Sequence, residues 1–183
     1  YLYVSQLVPH DSGYGMLLQF DVNNDFEKLR QVYLEAPPSL SINKKSSRFN
    51  KISDLFATIS NSQIKPAVND IFRIDADTME YLATFESTTC TDLVRLSPDS
   101  NTLFVGCDNS SSLKVYDVSG SGIEFVCESD IGSGVSAGIG EVDGFLFGAG
   151  NGLTRYTLAD NGCPVSADVV DVQCNDIGGL SEE

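Results

Sequence analysis

The five cysteines are the residues whose chemistry is most distinctive: Cys90, Cys107, Cys127, Cys163 and Cys174. No two of them are spaced as C-x-x-C, and the chain has a single histidine, so the pattern does not predict a structural zinc site. Two interpretations stay open, namely buried free thiols, or disulfides of a secreted chain with one cysteine left over. All five are therefore candidate disulfide cysteines, and their pairing is open.

Asn109 begins the triplet Asn-Ser-Ser, which is an N-glycosylation sequon at a predicted turn. We expect a glycan on Asn109 if the chain is secreted. Together with the cysteines and the acidic composition, the sequon favours an extracellular location, with a cytoplasmic location as the alternative.

A second motif is typical of hydrolases. Residues 134–138 match G-x-S-x-G, which would present Ser136 as a nucleophile on a strand-to-helix turn. The residues that follow are rich in glycine and predict no helix, and no histidine lies downstream to act as the base. The overlapping G-x-G-x-x-A of Gly132, Gly134 and Ala137 lacks the βαβ context of a dinucleotide site. We therefore interpret this segment as a first sheet strand that packs closely through its glycines.

Oxygen-bearing side chains at Asp21, Asn23 and Asp25 have the early spacing of a calcium loop. Phe26 stands where an EF-hand needs glycine, and Val32 stands where it needs glutamate. The pattern is instead typical of a turn that is capped by its own side chains.

His10 beside Asp11 is an acid–base candidate, but one histidine in a turn-rich segment is typical of a solvated side chain. We nominate no catalytic, cofactor-binding or metal-binding residue from the sequence, and we expect no cofactor.

The charge and hydropathy exclude further classes of function. The net charge is −15 and the isoelectric point is near 4.2. A phosphate-binding surface needs a basic excess, so nucleic acid is not an expected partner. No apolar run approaches the roughly 20 residues that a membrane-spanning helix needs, so we expect no membrane insertion.

Residues 91–119 show most clearly how the chain is organised. The β-rich runs 93–96, 102–107 and 113–118 are separated by the polar clusters 97–101 and 108–112, and residues 123–127 make a further run. Short strands joined by polar turns predict hairpins. The segment therefore predicts a unit of four antiparallel strands in up-and-down order.

Within this unit, LSPDSNTLFVG followed by LKVYDVS resembles the repeat of WD-repeat and lactonase-type β-propellers. In those families the pattern SPDG leads into the second strand, and an aromatic residue followed by Asp ends the third. Here Ser100 stands at the position of the Gly, and Tyr116-Asp117 at that of the aromatic pair. The resemblance implies an all-β propeller of four-stranded antiparallel blades. The ionisable axial site of lactonase-type propellers has no residue-by-residue match here, so no catalytic role is carried over.

The aromatic or aliphatic residue followed by Asp recurs at Phe20-Asp21 and Ile74-Asp75, and Tyr156 lies at the corresponding place in a last unit. We predict one domain over residues 1–183 with approximate blades 1–38, 39–88, 89–131 and 132–174. A short helix from Asp25 is the alternative to a direct turn into the fourth strand of the first blade.

The two ends of the chain bear on ring closure. The chain opens on an expected second strand, and residues 175–183 are expected to start or close a blade. About four blades would then form either a small closed ring or part of a larger one, since propellers have roughly four to eight blades.

These expectations lead to two functional hypotheses. The first is a non-enzymatic propeller scaffold for protein–protein interaction or self-assembly, as a component of an extracellular assembly. The second is a lactonase-like or other hydrolytic propeller, with calcium held by carboxylates such as Asp21, Asp75 or Asp117.

Overall fold

The structure is a computed structural model of the chain. It describes residues 1–7, 15–34, 39–42, 54–58, 70–86, 93–106, 112–130, 138–142, 145–149 and 152–170. These residues form fifteen β-strands and no helix. The strands make four separate antiparallel sheets, here numbered 1 to 4 in chain order.

In every sheet the strands lie side by side in the order in which they occur along the chain. Sheet 1 has three described strands: β1 (Leu2–Leu7), β2 (Gly15–Asp21) and β3 (Glu27–Leu34). Sheet 2 has four: β4 (Ser39–Ile42), β5 (Asp54–Thr58), β6 (Asp70–Asp75) and β7 (Tyr81–Glu86).

The remaining two sheets repeat this arrangement. Sheet 3 consists of β8 (Leu93–Leu96), β9 (Thr102–Gly106), β10 (Leu113–Asp117) and β11 (Glu124–Ser129). Sheet 4 consists of β12 (Gly138–Val142), β13 (Phe145–Ala149), β14 (Leu153–Leu158) and β15 (Pro164–Val170). The predicted all-β fold of antiparallel four-stranded units is confirmed.

The strand register shows that the four sheets are copies of one pattern. Phe20, Ile74, Tyr116 and Tyr156 are the residues that the sequence repeats align with one another. Each of them pairs with a leucine of the neighbouring strand: Leu2↔Phe20, Leu55↔Ile74, Leu103↔Tyr116 and Leu146↔Tyr156. By this register β1 is equivalent to the second strands β5, β9 and β13. The expectation that the chain opens on a second strand therefore agrees with the pairing of β1.

The hydrophobic cores lie between consecutive sheets. One cluster joins sheets 1 and 2 and includes Leu17, Leu55 and Ile74. The next joins sheets 2 and 3, where Tyr116 stacks edge-on against Phe85 with ring centroids 5.2 Å apart. The third joins sheets 3 and 4 and includes Phe104, Leu113, Val115, Leu146 and Tyr156. Within the described part of the chain, none of these clusters joins sheet 4 to sheet 1.

Two turns differ in detail from the sequence-based expectations. Asp25 and Phe26 have φ of 47° and 56°, in the left-handed region, and β3 begins directly at Glu27, so the alternative of a helix from Asp25 fails. The sequence also predicts a strand over residues 79–85, which is confirmed as β7 except for its start. Met79 instead has a φ of 62° in the turn, and the strand begins at Tyr81.

The predicted blade boundaries fall outside the described residues and stay predictions. The segments 35–38, 87–92 and 131–137 contain these boundaries, and residues 171–183 contain the predicted closing segment.

The β8–β9 hairpin shows why the propeller repeat has glycine where this chain has serine. The Ser100 amide donates to the Ser97 carbonyl at 2.9 Å, and the turn holds Ser100 at a φ of 63°. A residue with a Cβ pays about 1–2 kcal/mol in this region, whereas glycine enters it freely. Ser100 is therefore a strained residue in an otherwise well-bonded turn.

Replacing Ser100 by glycine should stabilise the protein. We expect Ser100→Gly to raise the free energy of unfolding by about 0.5–1 kcal/mol, because relief of the left-handed strain exceeds the extra chain entropy of glycine. Ser121→Gly is the matched control, since Ser121 is exposed in a turn and is not among the described residues with positive φ. Urea denaturation measures both variants. A Ser100→Gly protein no more stable than the control would contradict the assignment of strain.

Candidate functional site

Arg73 and Asp54 form a buried ion pair on neighbouring strands of sheet 2. Arg73 Nη2 lies 2.5 Å and Arg73 Nε lies 2.9 Å from Asp54 Oδ2. Arg73 is 9% exposed and Asp54 is 1% exposed. Charges this deeply buried persist only when they are paired and further hydrogen-bonded. Asp54 Oδ1 has no hydrogen-bond partner among the described residues, so the aspartate depends on Arg73.

The same arginine also joins sheet 2 to sheet 3. Arg73 Nη1 donates to the carbonyl oxygens of Gly120 and Gly122, the latter at 3.3 Å, in the turn between β10 and β11. The guanidinium carbon lies 5.7 Å from the centre of the Phe56 ring, a cation–π distance. One side chain therefore neutralises a buried carboxylate, packs on an aromatic ring and holds the hairpin of the next sheet.

Gln19 occupies the equivalent position in sheet 1 and makes the equivalent contact. Its Nε2 donates to the carbonyl oxygen of Ala76 at 2.6 Å, in the turn between β6 and β7 of sheet 2. Tyr3 Oη donates to the same carbonyl at 2.7 Å, and Arg30 donates to Gln19 Oε1 and to the carbonyl of Asp77. Gln19 is fully buried. Gln19 on β2 thus bonds to the hairpin of sheet 2 as Arg73 on β6 bonds to the hairpin of sheet 3.

At the junction of sheets 3 and 4 the same position is apolar. Val115 lies against the turn between β14 and β15, where Gly162 has a φ of 83°. A Cβ on Gly162 would lie 3.4 Å from Val115 Cγ1 and 2.9 Å from Thr102 Cγ2, so a side chain here would displace its neighbours. Close packing replaces the hydrogen bonds of the other two junctions.

A disulfide reinforces this third junction. Cys127 on β11 is bonded to Cys163, which directly precedes β15, and their Cα atoms are 6.2 Å apart. In the chain-entropy account, a crosslink that closes a loop of 36 residues stabilises the folded state by about 4 kcal/mol. Sheets 3 and 4 are therefore joined covalently where they lack the polar contact.

The aspartates that end β2, β6 and β10 cap the turns that follow these strands. Asp21 Oδ1 accepts from the Asn23 amide at 2.9 Å. Asp75 Oδ1 accepts from the amides of Asp77 and Thr78 at 2.8 and 2.7 Å. Asp117 Oδ1 accepts from the Ser119 amide at 2.7 Å. These are Asx turns, in which a carboxylate satisfies amides that the hairpin would otherwise leave unpaired.

The capping role of Asp21, Asp75 and Asp117 is an alternative to the hypothesis that they bind calcium. The three residues belong to hairpins of three different sheets. Across the described ranges, no group of three or more His, Cys, Asp or Glu side chains is placed to hold a metal ion. The repeated aspartate is explained by the repeated turn.

An open acidic cleft lies where the hairpins of sheets 3 and 4 meet. Its volume is about 380 Å³, and it is lined by Asp99, Asn101, Thr102, Asp117, Ser119, Val126, Asp160 and Asn161. The β8–β9 hairpin, the turn after β10 and the β14–β15 hairpin supply these residues. Three carboxylates and two carboxamides therefore share one concave surface.

Two of the three carboxylates are oriented by the hairpins. Asp99 accepts from Ser97 Oγ at 2.6 Å, and from the amide and side chain of Asn101 at 3.1 and 3.0 Å. The Ser119 hydroxyl and amide both donate to Asp117, and these bonds lower the pKa of its carboxyl below the usual value. Asp117 is therefore ionised at neutral pH. The fixed negative charges favour a cation in the cleft.

Several sequence-predicted residues lie outside the described part of the chain. They are Asn109, the pair His10 and Asp11, residues 134–137 of the G-x-S-x-G motif, and the cysteines Cys90, Cys107 and Cys174. The glycan on Asn109 stays a prediction. Of the five candidate disulfide cysteines, Cys127 and Cys163 are the described pair, and they are bonded to each other.

Sequence reasoning missed the Arg73–Asp54 pair and the cleft. A charged residue within an otherwise apolar strand, as at Arg73 in DIFRID, was the available signal, because a charge there needs a buried partner. The cleft had no local signal, since Asp99 and Asp160 meet only after two sheets have packed together.

Searches by sequence and by structure give different results. No protein-family model matches the chain, and no curated protein matches it. Across the described residues, no helix has the length and hydrophobicity that a membrane span requires.

The fold is similar to that of solved propeller structures. BamB from Moraxella catarrhalis, a β-propeller, matches with a TM-score of 0.60 at 13% identity, over 90% of this chain and 48% of BamB. KlAtg21, in its complex with the coiled-coil of AgAtg16, matches with a TM-score of 0.58 at 15% identity, over 83% of this chain and 50% of the other. The chain thus spans about half the length of each. At these identities the likeness concerns the fold alone, and it confirms the predicted β-propeller.

Proposed function

We propose that this chain is a non-enzymatic β-propeller scaffold that binds a protein partner through the acidic cleft between sheets 3 and 4. The observation that carries the proposal is how the described polar side chains are used. Arg73, Asp54 and Gln19 join the sheets, and the repeated aspartates cap turns. The cleft is the place where several carboxylates face a shared concave surface.

The chemistry of the cleft indicates the kind of partner. Asp99, Asp117 and Asp160 present negative charge beside the carboxamides of Asn101 and Asn161. A lysine or arginine side chain would find both charge and hydrogen-bond acceptors there. The net charge of −15 would steer a basic partner towards the surface. A basic segment of a partner protein is therefore the ligand class that fits.

The comparison with KlAtg21 supports a protein partner. That protein occurs in a complex with the coiled-coil of AgAtg16. It shows that a protein of similar fold binds another protein, and the proposal extends this property to the present chain. Function on such folds lies in sites that the loops carry, so the cleft rather than the fold determines the partner.

The proposed setting is an extracellular assembly. The Cys127–Cys163 disulfide is typical of an oxidising compartment, and a glycan on Asn109 would belong to the same environment. A scaffold outside the cell also benefits from the covalent link between sheets 3 and 4.

A charge-reversal experiment tests the cleft. Asp160→Lys should weaken the binding of fluorescently labelled 15-residue peptides rich in lysine and arginine by roughly tenfold, because an attraction becomes a repulsion. Binding to the unmodified protein should also weaken as salt is raised from 50 to 300 mM, as screening requires. Fluorescence anisotropy measures both effects.

Glu80→Lys is the matched control for this experiment. Glu80 is exposed in the β6–β7 turn of sheet 2, and the variant changes the net charge by the same amount. Equal loss of binding in the two variants would assign the attraction to overall charge. That result, or the absence of any binding, would overturn the proposal of a specific cleft.

A further inference from the structure

Each sheet of the described structure has two faces with different sequence patterns. We call the face that packs on the following sheet the trailing face, and the face that packs on the preceding sheet the leading face. On the trailing face of sheets 1 to 3, an aromatic residue pairs across the strands with the residue that contacts the hairpin of the following sheet. These pairs are Tyr3↔Gln19, Phe56↔Arg73 and Phe104↔Val115. An aliphatic residue, Leu17, Ile71 or Leu113, completes each set.

Sheet 4 has a complete trailing face with no following sheet in the described structure. Its pair is Phe147↔Arg155, and Leu153 occupies the aliphatic position. Phe104 and Leu113 are at most 2% exposed in sheet 3, whereas Phe147 and Leu153 are only partly buried and Arg155 is exposed. Phe145, on the same face, is 44% exposed, and the Arg155 guanidinium lies 5.1 Å from its ring centre. The residue types that pack on the following sheet in sheets 1 to 3 are therefore exposed or only partly buried in sheet 4.

Sheet 1 has the complementary leading face. The residues that pack backwards in the later sheets are Leu55 with Ile74, and Leu103 with Tyr116. By register the counterparts in sheet 1 are Leu2 and Phe20. Leu2 is 42% exposed and Phe20 is partly exposed, whereas Leu18, deeper on this face, is already buried. The outer end of the leading face is the part that is open to a partner.

The charges on the two faces are also of opposite sign. The hairpin after β2 carries Asp21, Asp25 and Glu27, and its residues 22–26 are exposed. In the junction of sheets 1 and 2, Gln19 on β2 and Arg30 on β3 donate to the carbonyls of Ala76 and Asp77, which directly follow Asp75. The carbonyls of Val22 and Asn23 hold the same positions after Asp21. Arg155, whose ion pair with Asp168 at 2.9 Å is exposed and therefore weak, can donate to such a hairpin.

We infer that sheet 4 of one chain binds sheet 1 of a second copy of this chain, head to tail. Two copies joined twice in this way bury both open faces and close a ring of eight sheets, within the range known for propellers. The inference rests on the fold and the interface pattern, and it does not use the acidic cleft.

Sedimentation velocity over about 1–200 µM tests the inference. We expect a species of twice the 19.7 kDa chain mass that does not grow further, because the ring is closed. Arg155→Glu should raise the dissociation constant at least tenfold. Arg95→Glu, a reversal of charge at an exposed arginine of sheet 3, should leave it unchanged. Thermal unfolding of each variant shows that it is folded.

A mixing experiment tests the head-to-tail geometry. Arg155→Glu damages the trailing face and Leu2→Asp damages the leading face, so each variant alone should be monomeric at 20 µM. Their mixture retains one intact pair of faces and should form a dimer with a single interface. A wild-type monomer at every concentration would overturn the inference, as would equal dimerisation of the two arginine variants. Peptide binding at the cleft would be unaffected by that failure.

Discussion

Arg73 makes the contact on which the arrangement of the sheets depends most. Among the described sheets, sheets 2 and 3 each bury both faces against neighbours, yet apolar packing alone allows sheets to slide past one another. A buried guanidinium that bonds to Asp54 and to the carbonyls of Gly120 and Gly122 can satisfy its donors in one relative position only. The bonds of Arg73 therefore favour one relative position of sheets 2 and 3, and loss of Arg73 would leave a buried carboxylate uncompensated.

The three junctions between consecutive sheets are held together by different kinds of contact. Gln19 uses a neutral amide, Arg73 uses a charge, and Val115 uses close packing against Gly162 together with the Cys127–Cys163 disulfide. Gln19, Arg73 and Val115 each contact a hairpin of the following sheet, and a side-chain cap stabilises each of these hairpins. The caps are Asp75, Asp117 and Asn161. The acidic cleft lies among three such turns, and each of them contributes one carboxylate: Asp99, Asp117 and Asp160. Two of the three aspartates in the proposed binding cleft, Asp99 and Asp117, thus also stabilise turns.

Much of the fold could be predicted from local sequence, and the contacts between sheets could not. Alternating apolar residues and polar turns predicted strands such as β9 and β10. The recurring hydrophobic-Asp pair aligned sheets 1 to 3, and Tyr156 marked the same place in sheet 4. The helix alternative at Asp25 and the predicted strand start at Met79 do not hold, because residues other than glycine adopt left-handed φ there. Arg73 and Gly120 are 47 residues apart, and no local pattern links them. The pairing of Cys127 with Cys163 likewise depends on how two sheets pack, so five cysteines in a sequence leave it open.

The most direct test of this account is to compare Arg73→Met with Arg95→Met by denaturant unfolding and native-state hydrogen exchange. Arg73 is buried and Arg95 is exposed, so the two variants remove the same charge in different environments. We predict that Arg73→Met loses about 3–5 kcal/mol of stability, that Arg95→Met stays within about 0.5 kcal/mol, and that Arg73→Met/Asp54→Leu recovers part of the loss. The amides of residues 118–123 should exchange faster in Arg73→Met. Equal stability of the two single variants, with unchanged protection of that turn, would contradict the claim that Arg73 holds sheets 2 and 3 in place.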